Sequence, residues 1–330
     1  MKILVTGASG RIGSALAQSL RAAGHWVRGF DVNPASSDLD DVVTGSLLDA
    51  DALDQALDGI EAVAHLAALM TWHPKDNPRL FEVNVTGTYH LLQAARNHAV
   101  SRFVFASSGE VYPELSPQSL PITEDHPTVP NSPYGMTKLL GEQMVRTVGA
   151  LSGMPWSILR FSHTQAADEL FDANSFFSGP RFYVNAKIRQ LESLPQSKPV
   201  QQTLTLLRVL ATESEQHYIS LDQDGLPFQM GMCDVRDLCQ GVRLALTHPA
   251  AVGEIFNIGA RKAFRFDQAV RYLARYTGLP VVEVKLSTVA YRYETSVDKA
   301  VSLLGYAPEY DIFGMIDDAA SRHPRPVSQP

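Results

Sequence analysis

An apolar β-type run, Lys2-Ile3-Leu4-Val5, leads directly into Thr6-Gly7-Ala8-Ser9-Gly10-Arg11-Ile12-Gly13. An amphipathic stretch follows, with Ile12, Leu16 and Leu20 on one helical face and Gly24 at its end. A strand, a glycine turn and a helix in that order leave few folds open. Gly7 permits the tight turn, Gly10 admits a close backbone approach, and Gly13 lets the helix pack on the sheet. The helix start then offers N–H groups and the positive end of its dipole to a phosphate. Asp31 closes the next apolar run, 26–30, about 20 residues further on. A carboxylate there accepts hydrogen bonds from ribose hydroxyls and repels a 2′-phosphate. The motif therefore predicts a dinucleotide site, and Asp31 predicts NAD rather than NADP. Arg28 on the strand and Asn33 beyond it make no evident phosphate clamp.

The alternation continues along the chain. Apolar runs at 62–66, 103–106 and 156–160 read as strands, and 51–57, 81–97 and 134–151 as helices. Repeated βα units imply an α/β fold, a doubly wound parallel sheet of the Rossmann type with helices on both faces. After about 162 the rhythm breaks, and Pro180, Pro195 and Pro199 interrupt a polar, helix-leaning region. The pattern resumes in part with a helix at 234–246, a strand at 253–258 and a helix at 266–277. The expected division is a dinucleotide-binding domain over 1–162, with returns near 234–260, and a smaller, mostly C-terminal substrate-binding lobe over 163–330. Residues 323–330 hold three prolines and little apolar matter, and read as a mobile tail.

Composition narrows the function classes. Apolar residues make up 45% of the 330, enough for a sizeable core. The 28 basic against 35 acidic residues give a net charge of −7, and no basic run exceeds a pair. This argues against nucleic acid and against an anionic membrane as partners. Cys233 and Cys239 are the only cysteines, which excludes a disulfide framework and offers no metal-site spacing. No apolar stretch is long enough to cross a bilayer, and no charged leader precedes the first strand. The expected setting is cytoplasmic.

Tyr134-Gly135-Met136-Thr137-Lys138 puts a phenol and an ammonium one helical turn apart. A phenol is a poor base at neutral pH, and a neighbouring ammonium favours the phenolate. Such a pair suits proton transfer at an alcohol or carbonyl. Ser107 and Ser108 end the preceding strand, where a hydroxyl can hold the reacting oxygen. Tyr183 and Lys187 repeat the spacing, but they lie outside the βα region and read as a coincidence.

With these pieces the sequence resembles the extended short-chain dehydrogenase/reductase superfamily, in its NAD-dependent epimerase/dehydratase branch. The resemblance runs almost end to end. It covers residues 6–13, Asp31, His65-Leu66-Ala67-Ala68, Asn84-Val85-Thr86-Gly87-Thr88 and Phe103 through Tyr112. Tyr134 to Lys138, Leu159-Arg160, Asp234 to Leu238, Phe256-Asn257-Ile258-Gly259 and Leu303 to Pro308 complete it. It implies that Ser108 holds the reacting oxygen, that Tyr134 is the general acid/base, and that Lys138 holds the nicotinamide ribose and tunes the tyrosine. It implies a cofactor set of Gly7, Ser9, Gly10, Arg11, Ile12, Gly13, Asp31, Ser46, Leu47, Leu66, Ala67, Ala68, Asn84 and Phe161, with Tyr134 and Lys138. Ser107, Ser108, Glu110, His163 and Arg181 are the expected substrate residues. Related proteins pair the helices at 81–97 and 134–151 across a two-fold axis. With Leu91, Leu92, Leu139, Leu140, Met144 and Val145 on those helices, a homodimer is expected.

The chain also departs from the family pattern. Gly45-Ser46-Leu47 replaces the usual Gly-Asp-Leu, so Ser46 is a weaker partner for adenine. Nucleotide-sugar members carry an Asn three residues after the Arg of the Leu-Arg motif, where this chain has His163. They often place a phosphate-binding Arg at the position of Met230. Arg181, Lys187, Arg189 and Arg292 are possible substitutes for these diphosphate donors. Glu110 resembles an acid of some dehydratases and decarboxylases, but the accompanying Asp of the dehydratases is Gly109 here. The cluster Phe176 to Phe182 with Arg181 reads either as a pocket lining or as core packing. The expected function is an NAD-dependent oxidoreductase acting at a secondary alcohol or ketone of a small sugar, sugar acid or polyol. The alternatives are a nucleotide-sugar epimerase or dehydratase with tightly bound NAD, and a non-catalytic NAD-sensing protein.

Overall fold

The alternating apolar runs become a seven-stranded, wholly parallel sheet in a computed structural model that describes residues 1–34, 39–286 and 291–322. The expected mobile tail at 323–330 lies outside the described residues. The strands are β1 (Lys2–Thr6), β2 (Trp26–Asp31), β3 (Asp41–Thr44), β4 (Ala62–His65), β5 (Arg102–Ser108), β6 (Trp156–Phe161) and β7 (Glu254–Ile258). Their spatial order is β7-β6-β5-β4-β1-β2-β3. The chain walks outward from β1 to β3 and then returns to place β4 on the other side of β1. At such a reversal the loops leaving the two central strands part, and ligands bind in the crevice so formed. Thr6 pairs with His65 at the carboxyl ends of β1 and β4, so the glycine turn and the 66–69 loop leave side by side.

Helices α1 (Arg11–Ala22), α2 (Ala50–Leu57), α3 (Thr88–Asn97), α4 (Pro133–Ser152) and α5 (Val235–Thr247) belong to the same unit. Ile3, Leu4, Val5, Val63, Phe103 and Ile158 are fully buried, because helices cover the strands. The helix expected at 81–97 is interrupted. Asn77–Phe81 is a short helix, Glu82–Gly87 is a wider π-helical turn, and the regular helix begins at Thr88. Leu91, Leu92 and Val145, which the sequence suggested for a subunit contact, lie in the core of this unit, and Met144 packs against it. The exposed apolar side chains on these two stretches are Phe81, Tyr89, Met136, Leu140 and Leu151.

This first unit comprises Met1–Ser162, Val235–Gly259 and Thr295–Pro308. The sequence reading assigned 295–308 to the second lobe. The segment belongs to the first because Ala300 and Leu304 are buried there, Tyr306 donates to the Gly259 carbonyl at 3.0 Å, and Lys299 pairs with Glu254 at 2.8 Å.

The second unit comprises His163–Asp234, Ala260–Glu294 and the segment from Glu309. It contains helices Val184–Ser193, Lys198–Leu210, Phe266–Thr277 and Ile312–Arg322 and a parallel pair of strands, His217–Leu221 and Val281–Lys285. Phe182, Ile219, Phe266, Val270, Leu273, Met315 and Ile316 form its main core. Met230, where a phosphate-binding Arg is usual, is buried in that core.

Candidate active site

The glycine turn has the shape a dinucleotide needs. Gly7 has φ +72°, and a Cβ there would stand 2.9 Å from Ala67, so the glycine is what lets the turn and the 66–68 loop touch. A Cβ on Gly13 would stand 2.0 Å from the Gly7 carbonyl, so α1 packs directly on the turn. Gly10 precedes α1 and brings no capping side chain to its first N–H groups. Arg11 and Ile12 form the opening of that helix. Asp31 lies across the turn, accepting from the Ser9 N–H at 3.1 Å and from the Asn33 N–H at 2.9 Å. The Ser9 hydroxyl donates to the Asn33 carbonyl. Arg28 is engaged elsewhere, with Asp41 at 2.7 Å and with carbonyls at the end of α2. These residues fit a dinucleotide, with its pyrophosphate at the α1 start and its adenosine ribose at Asp31.

Further around the sheet ends, Ser46 accepts from the Leu48 N–H. The Leu47 side chain lies in the core, close enough that a Cβ on Gly87 would meet its Cβ at 2.7 Å. The Leu47 side chain is therefore committed to packing. Asn84 does not cap a helix. It sits within the π turn, accepts from the Leu69 N–H at 2.8 Å, and donates to the Leu69 carbonyl and the Thr137 hydroxyl. It thereby ties the loop after β4, which carries Leu66, Ala67 and Ala68, to α4. Phe161 ends β6 opposite Ser108 in register.

The proton-transfer group assembles on β5 and α4. Tyr134 and Lys138 are both buried on the sheet-facing side of α4. The Lys138 ammonium donates to the Ala106 carbonyl at 2.8 Å and lies 5.7 Å from the centre of the Tyr134 ring. Burial lowers the Lys138 ammonium to about 8. Burial pushes the Tyr134 phenol up, and the charge of Glu110 adds to the rise. The sequence reading had the lysine lowering this phenol. In the chain by itself, burial of the phenol acts in the opposite direction.

Ser108 is partly exposed at the end of β5, and its hydroxyl accepts from the Glu110 N–H at 3.1 Å. A Cβ on Gly135 would stand 2.2 Å from the Glu110 carbonyl, so this turn presses on the start of α4. Ser132 caps α4 by accepting from the Gly135 N–H at 2.9 Å, and its hydroxyl donates to the Glu110 carboxylate.

The structure does not bring Ser107 to this group. Neighbouring strand residues face opposite ways, and Ser107 is buried, donating to Glu142 at 2.5 Å. Glu142 holds Arg160 in a two-pronged pair at 2.9 and 2.8 Å. Arg160 donates to the Tyr112 hydroxyl, which donates to Asn257. Burial raises the Tyr112 phenol to about 12. Sequence reasoning missed Glu142, although it stands four residues after Lys138 on the same buried face. The Leu-Arg and Phe-Asn-Ile-Gly motifs are thus parts of one buried brace joining β5, α4, β6 and β7. His65 is also structural. It is buried between Thr6 at 2.7 Å and Thr88 at 3.0 Å, and burial holds its imidazole down at about 3.

In the second unit, Arg181 Nη2 lies 3.0 Å from His163 Nδ1, and His163 Nε2 lies 3.1 Å from the Tyr291 hydroxyl. Burial and the Arg181 charge keep His163 neutral. Of the aromatic cluster, Phe182 is core, Phe176 is exposed, and Phe177 carries the Arg181 guanidinium over its ring at 5.8 Å. Tyr183 donates to the Leu170 carbonyl and Lys187 to Gln190, so this repeat of the spacing brings no phenol to an ammonium.

A parallel sheet with a glycine turn at its switch point and a serine, tyrosine and lysine beside it defines a dinucleotide-dependent enzyme scaffold. Residues 3–259 match the model of the NAD dependent epimerase/dehydratase family, and the chain belongs to that family, within the short-chain dehydrogenase/reductase superfamily. NAD is the cofactor of this family. A short-chain dehydrogenase/reductase superfamily protein of Agrobacterium tumefaciens, crystallised with NAD, is 45% identical, with a TM-score of 0.92 over 98% of this chain and 97% of that one. A UDP-glucose 4-epimerase of Halalkalibacterium halodurans is 29% identical over 98% of this chain and 96% of its own. A uronate dehydrogenase of Pseudomonas syringae is 34% identical over 43% of this chain and 52% of its own. Among the described residues, no helix is long and apolar enough to cross a membrane.

Proposed function

We propose that this protein is an NAD-dependent oxidoreductase acting at a secondary alcohol or ketone of a small sugar, sugar acid or polyol. The observation that carries the reading is the placement of Tyr134 and Lys138 on one buried face of α4, against the strand that ends in Ser108. In the oxidative direction Ser108 holds the substrate oxygen. Tyr134 receives the hydroxyl proton as the C–H electron pair leaves the carbinol carbon. NAD, when bound, supplies the acceptor for that hydride. Lys138 supplies the positive charge that favours the phenolate. The free-sugar reading draws on Met230 being core and on His163 standing where nucleotide-sugar members carry Asn. The named activity of the Pseudomonas relative lies in the same class.

The second reading is a nucleotide-sugar epimerase or dehydratase with retained NAD, favoured by the end-to-end similarity to the Halalkalibacterium epimerase. One assay separates them. NADH appearing at 340 nm when NAD is supplied with a panel of free sugars, sugar acids and polyols supports the dehydrogenase. NAD retained through purification, with UDP-sugars interconverted and no net NADH, overturns it. We further propose a homodimer, formed through the exposed face of α3 and α4, and a cytoplasmic setting.

A further inference from the structure

Thr137 stands between Tyr134 and Lys138 on α4 and is buried. The Asn84 amide donates to its hydroxyl at 3.1 Å, and that hydroxyl donates to the Tyr134 carbonyl at 2.8 Å. Asn84 lies in the π turn, and the same amide holds Leu69 of the loop after β4. It accepts from the Leu69 N–H at 2.8 Å and donates to the Leu69 carbonyl at 2.9 Å. One buried side chain thus touches both the loop beside the dinucleotide turn and the helical turn that carries the phenol and the ammonium.

Asn84 is itself fixed from behind. The Thr88 hydroxyl gives its one proton to the Asn84 carbonyl at 2.7 Å, so toward His65 it can only accept. His65 is neutral, so its Nε2 carries the hydrogen and its Nδ1 accepts from the Thr6 hydroxyl at 2.7 Å. Thr6 accepts in turn from the Ala67 N–H at 3.2 Å. Thr6, His65, Asn84, Thr88 and Thr137 are each at most 3% exposed. No member of this chain can turn without stranding a buried polar group.

We propose that Thr137 is a positioning residue, which sets the Tyr134–Lys138 turn by the loop that receives the cofactor. The inference rests on Tyr134 being the proton carrier of the proposed reaction. Proton and hydride leave adjacent atoms of one carbinol, so the phenol and the hydride acceptor must address them together. A misplacement of about 1 Å is enough to cost about 10²-fold in rate. The Asn84–Thr137 link carries the placement of the 66–69 loop into the helix, because each of its hydrogen bonds has one direction and one partner.

The test compares Thr137→Val, which keeps the shape and removes the hydroxyl, with Thr137→Ser, which keeps the hydroxyl. The valine variant should lose about 10–10²-fold in kcat, with KM and NAD affinity nearly unchanged. The serine variant should recover most of the loss. Ser157 is the control, a buried hydroxyl on β6 that donates to the Ala251 carbonyl at 2.6 Å. Ser157→Ala should lower the melting temperature and leave kcat at the wild-type level. Crystal structures of wild type and variants with NAD supply a readout that needs no turnover. The separation of the Tyr134 hydroxyl from the nicotinamide ring should change by about 0.5 Å or more in Thr137→Val and return in Thr137→Ser. Thr137→Ala replaces the valine variant if that variant does not fold. Wild-type kcat in the valine variant, no recovery in the serine variant, or an unmoved Tyr134 hydroxyl overturns the proposal. An equal fall of kcat in Ser157→Ala overturns it too. The kinetics follow NADH release or UDP-sugar interconversion, whichever the wild type shows, since both reactions take the hydroxyl proton at Tyr134. Interconversion without NADH release refutes the dehydrogenase reading and leaves this test intact. Where neither occurs, the crystal structures still decide this one.

Discussion

Tyr134 and Tyr183 share the same spacing to a lysine and have opposite surroundings. Tyr134 lies on a helix face with Lys138 behind it, whereas Tyr183 precedes its helix and donates to the Leu170 carbonyl. Tyr134→Phe should therefore cut turnover by about 10²–10⁴ and leave NAD affinity nearly unchanged, because the ring still packs and Lys138 remains. Lys138→Ala should weaken both. Tyr183→Phe should leave the pH-dependent step in place. PH–rate profiles with NAD titrations check all three, and loss of turnover in Tyr183→Phe alone would reverse the assignment. Asp31 makes a second prediction at this scale. Its carboxylate faces the glycine turn through Ser9, so Asp31→Ala should weaken NAD binding and narrow the gap to NADP. Calorimetric titration of both cofactors measures it, and a wild type that prefers NADP refutes it. The glycines and Asp31 were legible in sequence because backbone shape and charge at a strand end are local properties. The ionisation of Tyr134 was not, because it depends on burial and on Glu110, which lies 24 residues earlier in the sequence.

At the scale of elements, α4 does two tasks along one stripe. Tyr134 and Lys138 face the site, and Gly141, Glu142 and Val145 continue the same buried face into the core. Gly141 leaves room for the Phe105 ring, which a Cβ would meet at 2.4 Å. Glu142 carries the only carboxylate seen opposite the buried Arg160 guanidinium among the described ion pairs. Glu142→Ala should cost about 3–5 kcal/mol, because it strands a buried charge, and Glu142→Gln should cost less. Urea unfolding measures the difference, and a loss under about 1 kcal/mol for the alanine variant would show that water reaches Arg160. The Ser132-Pro133 pair marks the start of α4 in the sequence, since a serine cap before a proline in the first turn is a local signal. The break at Glu82–Gly87 had no such signal. It accompanies a tertiary tie, in which both ends of the Asn84 amide bind the Leu69 backbone.

At the scale of the molecule, the apolar side chains left outside suggest a second copy of the chain. Tyr89 and Leu140 are 47% and 36% exposed on α3 and α4. A homodimer through this face predicts a dimeric mass by light scattering at micromolar concentration, and a monomeric mass for Leu140→Glu with unchanged secondary structure. A monomeric wild type refutes it. The sequence by itself determined the alternation of strands and helices, the dinucleotide turn and the Tyr134–Lys138 face, since each rests on periodicity or spacing within a few residues. Only the tertiary structure decided the rest. Ser107 and Ser108 look alike in sequence, and strand pleating sends one to Glu142 and leaves the other at the sheet end. Leu91, Leu92 and Val145 look available for a partner, and the sheet takes them into its own core. The segment at 295–308 joins the first unit through Tyr306 and Lys299, contacts that span 47 and 45 residues of chain. Such choices depend on which distant surfaces bury one another, and that is fixed only when the whole chain has folded.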